Sequence, residues 1–181
     1  MAPSQFLQRA GDDPKSIFSL SHPGFFISMI AALSYPLSRG SVHIQSANPQ
    51  DAPVIDHGML RHPVDHELHA RHSMWLEKIA EAEPMASLLK KGGECWHATE
   101  PLTELEKAKG ICKKLVLSVY HVSGTCAMMA REDGGVVDSK LKVYGTTNLR
   151  IVDASIFPLE ARGNIQATVY AVAEKAADII R

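Results

Sequence analysis

Tyr120-His121-Val122-Ser123-Gly124-Thr125-Cys126 and, further on, Gly163-Asn164-Ile165-Gln166-Ala167-Thr168 are the two stretches on which the fold turns. The first closes the apolar run Lys114 to His121, in which Leu115, Leu117, Val119 and His121 share one parity and so face one side of a predicted strand. The imidazole then stands where that face gives way to the small-residue turn Ser123-Gly124-Thr125. The second stretch opens a run with Ile165, Val169, Val172, Ala173, Ala176, Ala177 and Ile180 at helical spacing, and it sets Asn164 at or next to the N-cap. A helix start presents unpaired N–H groups and the positive end of the dipole, which suits an anion, a polarised carbonyl or an electron-rich ring. His121 and Asn164 are therefore the candidate catalytic pair. A lone histidine beside a glycine turn is as readily structural, and at this point both readings stand.

Outward from these stretches, 181 residues fit one domain with a sizeable core. Hydrophobic content of 45% and charged content of 22% are globular values, and a net charge of −1 gives no electrostatic case for nucleic acid or an anionic membrane. No apolar run is long enough to span a bilayer, and Met1-Ala2-Pro3-Ser4-Gln5 lacks the regions of a signal peptide, so a soluble, cytoplasmic protein is expected. Cys95, Cys112 and Cys126 are odd in number and form no C-x-x-C, which indicates neither a disulfide framework nor a zinc site. Met1 to Lys15 reads as a loose arm and residues 16–181 as a single domain. Ser16 to Leu37 is apolar but broken by Pro23-Gly24 and Pro36. It is expected to line a substrate cavity or pack under the sheet.

Ser41 to Gln45 alternates as a strand with Val42 and Ile44 inward, Ser46-Ala47-Asn48-Pro49 turns, and Ala52 to Asp56 reads as a second strand. His62-Pro63 opens a helix to about Ile79 or Ala82, with Asp65 and Glu67 complementing its dipole. Leu68, Trp75, Leu76 and Ile79 mark its buried face, flanked toward solvent by His62, His66, His69 and His72. Two histidines a turn apart can ligate a metal. Without H-E-x-x-H or a matching cysteine, no metal is expected. A helix from Leu102 to about Lys109 ends at Gly110, and Val136–Asp138, Leu141–Tyr144 and Leu149–Val152 read as short strands ending at Asp153-Ala154-Ser155. The class is α+β: a short, mostly antiparallel sheet with packed helices.

YHVSGTCAMM from Tyr120, DGGVVDSKLKVYGTTNLRIVDASIFP from Asp133 and GNIQATVYAVAEKAADII from Gly163 resemble the C-terminal signature of the glucose-methanol-choline (GMC) flavin oxidoreductases. The similarity extends upstream through YPLSRGSVHIQSANPQDAPVIDHGML to about Phe25, and Arg39 matches a family Ser-Arg-Gly motif read as bracing a turn. The resemblance implies a truncated GMC C-terminal, substrate-binding domain. It casts His121 as the base near the flavin ring, Asn164 as its assistant, and Phe25, Phe26, Tyr120, Ser123 and Thr125 as substrate-binding. It also implies that Asp153, Ala154, Asn164 and Ile165 would touch FAD if a flavin were present. Family members are several times longer and begin with a Rossmann G-x-G-x-x-G turn that holds the FAD pyrophosphate. None of the 12 glycines here falls in a G-x-G pattern, so no cofactor is expected for this chain alone.

Without flavin the same pair can move protons and hold electron density. The expectation is a free-standing enzyme doing non-redox acid–base and shaping chemistry on an apolar natural-product intermediate: cyclisation, isomerisation or cycloaddition. The alternatives are the C-terminal part of an FAD-dependent alcohol oxidase or dehydrogenase, and a non-catalytic binding module. A sheet without its Rossmann strands leaves open edges, so a homo-oligomer, most simply a dimer, is expected.

Overall fold

The computed structural model describes residues 26–93 and 101–181. In chain order it contains strands β1 (Ser41–His43) and β2 (Val54–Asp56) and helices α1 (Pro63–Glu81), α2 (Met85–Leu88), α3 (Leu105–Leu115) and α4 (Gln166–Ile180). Short 3-10 turns lie at Arg131–Asp133 and Ala154–Ile156. The chain is thus α+β, with a two-stranded antiparallel sheet. The described residues fall into two compact units, one from residues 26–39, 58–93 and 101–117, the other from Gly40–His57 and Ser118–Arg181. No helix among the described residues is long and apolar enough to cross a membrane.

The first unit is built on α1. His62 stands at the N-cap in extended conformation and its Nδ1 accepts the Val64 N–H at 3.3 Å, while Pro63 fills the first helical position, where a missing donor costs nothing. The expected range is met almost to the residue. Asp65, however, does more than complement the dipole. It is 2% exposed, and its carboxylate accepts the N–H groups of Leu37 at 2.9 Å and Ser38 at 2.6 Å, pinning that strap to the helix. Ser38 Oγ in turn accepts the His62 N–H at 2.9 Å. The Arg39 guanidinium donates to Pro36 O and Ser38 O, the turn brace suggested by the sequence.

α1 packs on α3 through small residues. Ala70, Leu102, Ala108 and Cys112 form the buried cluster, with Leu60, Met74, Leu105 and Ile111 against it. Two alanines facing one another let the helices approach closely, since the side chains at the crossing set the spacing. This corrects the buried face read from the sequence: Leu68, Trp75 and Ile79 are exposed, Trp75 at 60%. Bulky residues carry most of the weight in a periodicity reading, and here alanines and a cysteine make the joint. His66 and His69 are consequently half-buried rather than turned wholly to solvent. His66 Nε2 donates to Lys109 O at 2.9 Å, and His69 Nδ1 is buried with no hydrogen-bond partner. Among the described residues no group of three His, Cys, Asp or Glu side chains is placed to hold a metal.

α3 also overturns two expectations. It starts later than Leu102 and runs through Gly110 to Leu115. The spacing of Ala108, Ile111, Cys112 and Leu115 continues one helical stripe, and burying it outweighs the roughly 1 kcal/mol that an internal glycine costs. Lys114-Leu115 therefore belongs to the helix, and 116–121 forms no ladder with described residues.

In the second unit β1 and β2 pair in the register Ser41↔Asp56, Val42↔Ile55 and His43↔Val54. Both strands are shorter than read. Gly40 lies so close to Asp56 O that no side chain fits there. Val42 and Ile44, expected inward, are exposed, Ile44 at 89%. The three later strands reduce to single bridges, Met128↔Val137, Val137↔Val143 and Lys142↔Arg150. They surround a core of Val137, Leu141, Ile156, Phe157, Ile165 and Ala176. α4 closes it with Ile165, Val169, Val172, Ala176 and Ile179, a narrower stripe than expected, since Ala173, Ala177 and Ile180 face out.

Candidate active site

His121 lies on a segment that is anchored by backbone rather than by a sheet. Gly124 N–H donates to Ala154 O at 3.2 Å, Cys126 N–H to Ser155 O at 2.8 Å and Met128 N–H to Ile156 O at 2.7 Å. Alternate residues thus form three rungs against the 3-10 turn. The turn is itself fixed, because the Asp153 carboxylate accepts the Ser155 N–H at 2.7 Å and Ile156 and Phe157 are buried in the core. Gly124 takes φ +86, and a Cβ there would stand 3.1 Å from Phe157 O, so the close approach and the left-handed backbone both call for glycine.

Just before this anchor the chain bends sharply. Tyr120 takes φ 65, its N–H donates to Ser118 Oγ at 2.9 Å, and the residue is 75% exposed. The next residue turns inward. The His121 side chain is 19% exposed and faces Glu160, 20% exposed, with Nδ1 and Oε1 3.6 Å apart. Burial pushes the Glu160 carboxyl above its usual range, opposed by the nearby His121 ring. Sequence reading did not single out Glu160. It stands alone after Pro158-Leu159, with no spacing that ties it to His121.

The other expected residues divide. Ser123 is half-buried and Thr125 exposed, both on the His121 segment. Asn164 is exposed and precedes the N-cap, which is Ile165 in helical conformation with no side-chain cap bond. No hydrogen bond joins Asn164 to His121 among the described residues. Ile165 is buried in the core, so only its backbone could meet a ligand. Asp153 and Ala154 form the corner that holds the His121 segment. Phe26 belongs to the first unit and is exposed, and Phe25 lies outside the described residues.

A family described as GMC oxidoreductase, by its C-terminal domain, matches residues 36–173 of the chain. This chain belongs to the GMC oxidoreductase family. Dehydrogenase mpl7 of Monascus purpureus is 40% identical over 158 residues, which are 85% of this chain and 24% of that protein. A fungal aryl-alcohol oxidase superposes with a TM-score of 0.68 at 36% identity, covering 82% of this chain and 24% of its own. An FAD-dependent oxidoreductase from Chaetomium thermophilum does so with a TM-score of 0.71 at 36% identity, covering 81% and 25%. The chain spans about a quarter of the length of these GMC relatives.

The family binds FAD, and the residues here do not fit the whole dinucleotide. The sequence has no G-x-G turn for a pyrophosphate, and the Asp153 carboxylate is engaged with its own turn. The first turn of α4 has no side-chain cap, and His121 faces Glu160.

Proposed function

We propose that this GMC C-terminal domain does acid–base chemistry, with His121 as the general base toward a hydroxyl or an acidic C–H of an apolar small molecule. The observation that carries the reading is the placement of His121, four-fifths withdrawn from solvent on a segment fixed by three backbone hydrogen bonds. A neutral imidazole held this way accepts a proton and returns it to another atom of the substrate. Asn164, exposed before α4, supplies a donor for oxygen on which charge develops. Ser123 and Thr125 lie on the same segment, and Tyr120 is exposed just before it. Together with shaping of a flexible substrate, proton relocation suffices for cyclisation, isomerisation or cycloaddition of a natural-product intermediate, without net oxidation.

A second reading is favoured by one observation: relatives named as dehydrogenases and oxidases match this chain over only a quarter of their length. In that case the chain is the proton-handling part of an alcohol oxidoreductase. A bound FAD would supply hydride acceptance, and His121 would still take the hydroxyl proton.

The experiment separates the two. Purified chain, colourless and free of flavin, is incubated with hydroxylated apolar candidates under nitrogen without an electron acceptor. Product of unchanged mass that disappears in His121→Ala is the expected result. Turnover that requires added FAD and an acceptor gives the second reading. Self-association belongs to the same proposal, supported by the exposed Val42, Ile44, Val54 and Ile55 of the hairpin. Light scattering is expected to give twice the chain mass, and a monomer at high concentration would remove that part.

A further inference from the structure

We propose that Glu160 is the positioning residue for His121, holding the ring proton on Nδ1 and so leaving the Nε2 lone pair for the substrate. The two nitrogens of a neutral imidazole are not equivalent: the one facing an acceptor carries the proton, and the other is left to accept one. Glu160 Oε1 is the group that faces Nδ1, at 3.6 Å. That is ion-pair distance, longer than the roughly 2.7–3.2 Å of an N–H···O bond, and such contacts lengthen in unliganded sites and tighten when substrate binds.

Three features make the contact more than a chance approach. Both side chains are four-fifths buried, so the attraction is screened less than at a surface. Glu160 lies on a short span bracketed by two core residues, Phe157 and Ile165, which fixes where it can reach. The His121 segment is lashed to the turn immediately before that span, so both partners hang from one rigid point. When Nε2 takes a proton from a hydroxyl, the ring becomes an imidazolium and the oxygen an alkoxide. The carboxylate at Nδ1 then offsets the new positive charge, in the manner of a triad acid.

The inference rests on His121 being the base, yet its test reads the ring and needs no substrate, so either can fail while the other stands. Long-range proton–nitrogen NMR of the nitrogen-15-labelled full chain reports which ring nitrogen carries the proton, and the spectrum of His121→Gln identifies the His121 signals among those of nine histidines. The expected result is an Nδ1-protonated ring in the native chain. That population is expected to fall in Glu160→Ala, and to fall by less in Glu160→Gln, which keeps an acceptor oxygen. Should the alanine variant not fold, the nearly isosteric glutamine variant carries the test alone. An Nε2-protonated ring in the native chain, or a tautomer indifferent to both substitutions, overturns the proposal.

Discussion

Asp65 and Glu160 are both carboxylic acids withdrawn from solvent, one in each unit, and their surroundings move them in opposite directions. Burial raises Asp65, but two strap N–H groups, the Ser38 hydroxyl and a nearby His62 outweigh it and leave the carboxyl below its ordinary value. Burial also raises Glu160, and the single imidazole opposite does not cancel it. The first unit uses its acid as a structural acceptor, satisfied by fixed backbone. The second leaves its acid facing one titratable ring.

The contrast breaks most severely at His121. Its replacement by alanine is expected to lower turnover by about 10²–10⁴-fold, the usual contribution of a positioned base, with little change in melting temperature. Rates unaffected by the substitution would show that the second unit holds no proton-transfer site at that ring. Next in size is the support beneath it. Ile156→Ala empties a buried position under the three rungs and is expected to destabilise the fold by about 2–5 kcal/mol in denaturant titration.

In the first unit, Asp65→Ala strands the Leu37 and Ser38 N–H groups and is expected to cost about 1–3 kcal/mol. Because Asp65 binds its proton more weakly in the folded chain, its stabilisation is present above the ordinary aspartate pKa of about 3.9 and is lost as pH falls through the lower folded value. Glu160 has the opposite sign. It holds its proton more tightly when folded, so stability declines as pH rises from about 4.3 through the raised folded value. Glu160→Gln removes that decline and is the smallest expected change, about 0.5 kcal/mol in favour of the variant near neutral pH, comparable with ordinary surface substitutions.

Long periodic elements were legible in the sequence. α1 and α4 follow from their apolar spacing and end signals, and the hairpin follows from alternation around a polar turn. The motif stretch was misread as structure. Leu115 satisfies a helix stripe and a strand parity equally well, and only the tertiary packing of α3, whose Ala108 and Cys112 join Ala70 in a buried cluster, decides between them. The helix face was misread for a related reason: alanine and cysteine make a close crossing without announcing it. Asp65 read as a dipole partner because the strap at Leu37 lies 28 residues away, beyond any local pattern. The approach of Glu160 to His121 had no signal at all, since it is purely tertiary.

The most direct measurement follows both acids at once, by carbon-13 detection of the side-chain carboxyls through an acid titration of the native chain and of His121→Gln. The expected result places the Asp65 midpoint below the aspartate range and the Glu160 midpoint above the glutamate range, with Glu160 rising further when the imidazole is removed. Ordinary midpoints for both acids, or a Glu160 curve unmoved by the loss of His121, would contradict the account.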